Sequence, residues 1–131
     1  MGSYSVAKRE EAIDWMADFP GFGEMRWYSD ALGTEQVSFS WRTMPPGTGG
    51  RGSYGHRHPG QEEVFFVIAG RVTFKIDDEI FEAGPQTAVR IGGDAYRSIH
   101  NDSDQHAQLL LFSTRDPDAR TEQTEEFWPS S

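Results

Sequence analysis

The 131-residue chain is acidic: 12 Lys and Arg stand against 21 Asp and Glu, for a formal charge of −9. Phosphate-rich partners need clustered cations that release counterions, so this balance argues against nucleic acid and anionic membranes. No cysteine is present, which removes disulfides, thiolate zinc sites and a cysteine nucleophile and leaves His, carboxylate or amide to hold any metal.

Along the chain, Lys8 to Phe19 carries Ile13, Met16 and Ala17 at i, i+3 and i+4, which predicts a short amphipathic helix stopped by "FPGFG". The period then changes to two. Val37, Phe39 and Trp41 alternate with Ser38, Ser40 and Arg42, as in a half-buried strand. A Gly/Pro loop, "MPPGTGGRGSYG", runs from Met44 to Gly55. The apolar run Val64 to Ala69 follows, then Val72, Phe74 and Ile76, a turn at Asp77 to Glu79, and Ile80 to Glu82. Thr87, Val89 and Ile91 alternate again; "GGD" turns, Tyr96 to His100 extends, "NDSD" turns, and Gln105 to Phe112 forms a last apolar strand. Short strands separated by Gly, Asp and Asn turns, with no helix between them, indicate an antiparallel sandwich or barrel.

The length suits one domain over residues 1–131, with an N-terminal segment 1–35, a barrel core 36–112 and a tail 113–131. "EFWP" makes the end of that tail apolar enough to dock on the barrel, against a mobile tail as the alternative. The longest apolar run, "VFFVIA", is far short of the ~20 residues that span a bilayer. No basic segment followed by an apolar one opens the chain, so a cytoplasmic protein is expected.

The chemistry gathers in "GHRHPGQEEVFFVIAG", Gly55 to Gly70. His56 and His58 lie at i and i+2 of an extended segment, so both imidazoles face one side and reach one ion at ~2.1 Å. A carboxylate on the same interior face completes a two-histidine, one-carboxylate set with open positions. Ordinary strand-entry residues are the competing explanation for H-x-H next to a turn.

The wider spacing resembles the first motif of the cupin superfamily, G-x5-H-x-H-x3/4-E-x6-G. Gly50, His56, His58, Glu63 and Gly70 fall on it without a gap. The resemblance, which extends over nearly the whole chain to a group of small single-domain bacterial cupins, implies an all-β fold, a small antiparallel β-barrel or jelly roll, here with a short N-terminal helix. It also implies that His56, His58 and Glu63 bind a divalent metal (Fe, Mn, Ni or Zn). Glu63 fits better than Glu62 or Gln61, because it shares a strand face with Phe65 and Val67.

The second motif of that family, G-x5-P-x-G-x2-H-x3-N, supplies a third histidine. Its gapless counterpart here runs from Gln86 to Asn101, with Gly92 for the proline, Asp94 for the second glycine and Arg97 for the histidine; only Asn101 matches. A guanidinium cannot ligate a cation. At ~5 Å from a divalent ion it is repelled by several kcal/mol even at an effective dielectric of 20, unless an anion lies between them. Arg97 therefore either grips a substrate carboxylate, pairs with Glu63 in place of the metal, or turns to solvent.

His100 is expected to face outward from Arg97's side of the strand, and His106 to lie at the surface. Tyr54 and Tyr96 are candidates for the barrel mouth beside Arg97 as substrate-binding residues. The resemblance implies one of two functions. One is a metal-dependent oxygenase or isomerase acting on a small carboxylate-bearing molecule. The other is a non-catalytic ligand-binding or structural barrel with a degenerate metal site. Barrels of this kind often pair, so a homodimer is expected, with Trp27 and Tyr28 as contact residues.

Overall fold

The computed structural model describes residues 2–130. Its strands are β1 (Ile13–Asp14), β2 (Glu24–Trp27), β3 (Val37–Met44), β4 (Gly55–Arg57), β5 (Glu63–Ala69) and β6 (Val72–Ile76). They continue with β7 (Glu79–Ala83), β8 (Ala88–Ile91), β9 (Arg97–His100), β10 (Ala107–Thr114) and β11 (Glu122–Thr124). All pairings are antiparallel. They form a six-stranded sheet in the order β1-β2-β3-β10-β5-β8 and a five-stranded sheet in the order β11-β4-β9-β6-β7. No helix among the described residues is long and apolar enough to cross a membrane.

The expected barrel is present, and the core lies between the sheets. Phe65 and Val67 of β5, Leu109 and Leu111 of β10, and Val72 and Phe74 of β6 are buried together. Phe65 and Phe74 meet edge to face with ring centroids 5.4 Å apart, which ties the two sheets by an aromatic contact. Gly70 makes the turn from β5 to β6 possible. Its φ is 81°, and a Cβ there would stand 2.5 Å from the His106 carbonyl.

The N-terminal helix is not where the sequence placed it. Arg9–Glu11 is a single 3-10 turn, and Ile13–Asp14 is strand paired with Trp27 and Arg26. The Asp14 carboxylate accepts hydrogen bonds from the Met16 and Met25 amides at 2.9 Å, while the Trp15 amide donates to the Met25 carbonyl. The two bonds to Met25 reach ten and eleven residues onward and outcompete the i→i−4 ladder, so local periodicity misleads there. The α-helix that does form, α1 (Tyr28–Leu32), is ended by Gly33 at φ 72°.

On β3 the alternation is right but the faces are exchanged. Ser38 and Ser40 are buried, Val37 is exposed, and Phe39 packs on the outer face against Tyr28 and Phe112 at 5.2 and 5.4 Å. The small polar residues point into the barrel because an open cavity, described below, needs room there.

The tail docks. β11 pairs with β4, the Gly52 amide donates to the Trp128 carbonyl, and the Trp128 amide donates to the Ser53 carbonyl. Trp128 is 1% exposed under the Arg51 guanidinium, 4.7 Å from its ring. The tail covers the outer face of the second sheet, including His100. That histidine does lie opposite Arg97, but it is half-buried, with Nδ1 accepting from the Arg51 amide at 3.2 Å. His106 is exposed.

Candidate functional site

His56 on β4 and His58, the residue just after it, both face the cavity. Their rings lie 4.9 Å apart at 64°, while Arg57 between them points away to the Glu122 carboxylate (2.8 Å) and the Tyr96 ring (4.6 Å). Gly55 precedes them because a Cβ there would collide with the Phe127 ring of the docked tail. The Thr121 hydroxyl meets His58 Nδ1 at 3.2 Å. When Thr121 donates, His58 presents Nε2–H to the interior.

Glu63 opens β5 on the opposite sheet and reaches across the gap. Arg97 on β9 is the register partner of His56, and its Nη1 stands 3.9 Å from Glu63 Oε1. Arg97 is 1% exposed; Nη2 donates to the Gly92 carbonyl at 2.7 Å, whereas Nε, Nη1 and Glu63 Oε1 have no hydrogen-bond partner in the protein. Of the three arrangements open to Arg97, the turn to solvent is excluded; its Nη1 lies within ion-pair range of Glu63 Oε1, with no hydrogen bond between them. Glu62 points outward to Arg90.

A cavity of about 1050 Å³ opens over these groups. His56, His58, Gln61 and Glu63 line its polar end; Phe65, Leu109 and Leu111 form its apolar wall. Trp15 and Trp27, stacked with centroids 5.0 Å apart, stand at its rim. That stacking occupies Trp27 within its own chain, and Tyr28 packs on Phe39. Tyr54 lines the cavity, but Tyr96 does not: its ring lies under Arg57 and against Phe127, 6.4 Å away. Arg97 is absent from the lining too, so direct contact with a ligand is not what the geometry shows.

Burial dominates the electrostatics of this end. It brings His56 from 6.5 down to about 4, with the His58 and Arg97 charges acting the same way. His58 is also lowered, by burial and then by Arg97, against a backbone hydrogen bond at Arg120. Burial raises the Glu63 carboxyl, and Arg97 offsets part of the rise. At neutral pH both imidazoles are therefore uncharged, and Arg97, though lowered by burial, keeps its charge.

These residues do not fit a divalent metal. Among the described residues no three His, Cys, Asp or Glu side chains are arranged to hold one. The carboxylate that would ligate faces a guanidinium instead, and a fixed cation this close opposes a second.

Several site residues escaped the sequence reading. Thr121 and Gln123 come from the tail, and Ser38, Ser40 and Arg42 from the inward face of β3. Gly93 is a further one: a Cβ there would lie 2.5 Å from the His58 carbonyl and 2.8 Å from that of Gln61. The signals were thin, namely the "EFWP" anchor for the tail and the glycine pair at Gly92 and Gly93.

Residues 40–113 match the cupin domain family, Cupin_2, and the chain belongs to it. No curated protein matches the chain. A cupin protein from Bacteroides fragilis superposes with a TM-score of 0.70 at 21% identity, over 90% of this chain and 89% of that one. The polyketide cyclase RemF from Streptomyces resistomycificus gives 0.69 at 17%, over 93% and 87%. A sugar phosphate isomerase from Silicibacter pomeroyi gives 0.67 at 23%, over 77% of this chain but only 64% of that protein, so the chain spans less than two thirds of it. At these identities the likeness shows the fold.

Proposed function

We propose that the barrel binds a small organic molecule in this cavity without a metal ion. The polar head of the ligand lies against His56, His58 and Gln61, and its apolar body runs along Phe65, Leu109 and Leu111 toward Trp15 and Trp27. The observation that carries this reading is Arg97: a buried guanidinium beside Glu63, where a metal-binding barrel needs a neutral ligand. Arg97 neutralises Glu63, and the head site is left with uncharged hydrogen-bonding groups. The carboxylate-bearing substrate expected from the sequence is then not met by Arg97, which does not line the cavity.

The chemistry this residue set supports by itself is proton transfer. An uncharged, buried His56 accepts a proton from the ligand and returns it. The names of the isomerase and the cyclase accord with such a reaction. We also propose that two copies pair, since Trp41, Leu110 and Phe66 lie side by side, half-exposed, on the outer face of the six-stranded sheet. Light scattering at twice the 14.8 kDa chain mass supports pairing, and a monodisperse monomer overturns it.

The ligand reading is tested by tryptophan fluorescence and thermal shift with 1-naphthoic acid, 1-naphthamide and glucose 6-phosphate, all in the presence of EDTA. Saturable binding of a naphthyl probe that weakens in His58→Ala supports the assignment. Failure of all three, or binding indifferent to His58→Ala, contradicts it.

A further inference from the structure

Arg42 is the one arginine among the described residues with no carboxylate within salt-bridge distance; every other has a partner, from Arg9 with Glu24 to Arg120 with Glu122. It also lines the cavity. One nitrogen holds it in place: Nη1 donates to the Phe22 carbonyl at 2.9 Å, to the Glu24 carbonyl at 3.1 Å and to the Thr43 carbonyl. Nε and Nη2 make no hydrogen bond within the protein, yet neither is closed off as the unpaired nitrogens of Arg97 are. The open edge of the fork is thus fixed in direction and free of partners. Asp14 acts on the charge from beyond salt-bridge range, with its Oδ1 taken by the Met16 and Met25 amides. The other cavity arginines face carboxylates, Arg115 that of Asp30 and Arg120 that of Glu122.

The sheet register places this edge far from the histidine head. Arg42 pairs with Leu109 and Leu109 with Val67, whereas Glu63 lies in the row of Ser38 and Ser113. From Ser38 to Arg42 is about 13 Å along β3, and two strand spacings, about 10 Å, lie between β3 and β5. Phe65, Leu109 and Leu111 line the span between the two ends. We infer that Arg42 binds a carboxylate at the far end of the ligand, so that the cavity takes a molecule with two polar ends. Its uncharged hydrogen-bonding head lies at His56 and His58, its body is apolar, and its terminal carboxylate lies on Arg42 Nε and Nη2. This rests on the metal-free reading of the cavity and deepens it by naming the ligand class. A carboxylate matches the fork with two parallel hydrogen bonds, and a site walled by Trp15, Met25 and Leu109 strengthens them. A structural tie alone would need only Nη1.

A one-headed probe such as 1-naphthoic acid fills one end at a time, so the far site is read with a ligand that touches both. The test is calorimetric titration of 4′-hydroxybiphenyl-4-carboxylic acid and its carboxamide in the presence of EDTA, with melting temperature checking the fold of each variant. Wild type is expected to bind the acid about tenfold more tightly than the amide, the difference a charge-assisted bidentate contact supplies. Arg42→Gln is expected to abolish that preference and to leave the amide within a few-fold of wild type. Arg42→Lys keeps a donor for the Phe22, Glu24 and Thr43 carbonyls and carries the test if Arg42→Gln does not fold. It is expected to lose the preference as well, because an ammonium spent on those carbonyls has no open edge. His58→Ala is expected to weaken both ligands alike and keep their ratio. Equal affinities in wild type, or a preference for the acid that survives in a folded Arg42 variant, overturn the inference and leave the cavity reading intact. Failure of both biphenyls while 1-naphthamide binds overturns the inference alone, and failure of all three overturns the cavity reading with it.

Discussion

Arg97 Nη1 stands 3.9 Å from Glu63 Oε1 across the gap between the two sheets, and these two facing atoms are buried. Removing one member of a buried pair strands the other charge, which costs about 3–5 kcal/mol. Arg97→Met and Glu63→Leu are each expected to destabilise the fold by about 3 kcal/mol in urea unfolding. The double variant is expected to recover most of that loss, because it strands no charge. Additive losses would show that the two residues do not compensate each other.

Acid is expected to unfold the protein through His56. Its folded value, about 4, lies below the ordinary 6.5, so between those two values the unfolded chain carries a proton that the native one lacks. Stability from this group is complete above pH ~6.5 and falls as pH drops toward 4, by at most about 3 kcal/mol at 1.36 per unit. Glu63 acts oppositely: its raised carboxyl favours the native state as pH falls. The measurement is melting temperature from pH 7 to 4 for wild type and His56→Gln, with a flatter curve expected for the variant.

The charge preference of the cavity follows from the same pair. With Glu63 neutralising Arg97, 1-naphthamide and 1-naphthoic acid are expected to bind within a few-fold of each other. Glu63→Gln leaves the guanidinium without a counter-charge, and the acid is then expected to gain about tenfold over the amide, roughly 1.4 kcal/mol. Calorimetry on both probes reads this directly. An acid strongly preferred by wild type would place a free cation at the head site.

Trp128 anchors the strand that walls the cavity beside His56. Trp128→Ala is expected to lose about 3–5 kcal/mol by opening a cavity under Arg51. The tail should then be cut by protease ahead of the barrel, and probe binding should weaken. Intact tail and unchanged binding would separate the tail from the site.

The barrel was legible in the sequence because its strands are bounded by Gly, Asp and Asn turns and its β5 and β6 runs are apolar enough to be core. The histidine pair and Glu63 were legible because their spacing is fixed on one short stretch. Ile13 was misread because its partner, Trp27, lies on another strand, and helical periodicity over a dozen residues cannot report such a bond. The faces of β3 were exchanged because a cavity reverses the usual rule: the inward positions are serines, and the aromatics find cover outside. Asn101 alone matched in the second motif, and the structure gives it a structural task. Fully buried, its Nδ2 donates to the Met44 and Gln105 carbonyls at 2.9 and 2.7 Å. Arg97 had three readings in the sequence, and only its buried place beside Glu63 separated them.

The most direct measurement of the central claim is calorimetric titration of 1-naphthoic acid and 1-naphthamide into wild-type protein, with and without EDTA and then with added cobalt. A metal-free site gives the same affinity in all three conditions, and weaker binding throughout for His58→Ala. Binding abolished by EDTA and restored by cobalt would contradict the account.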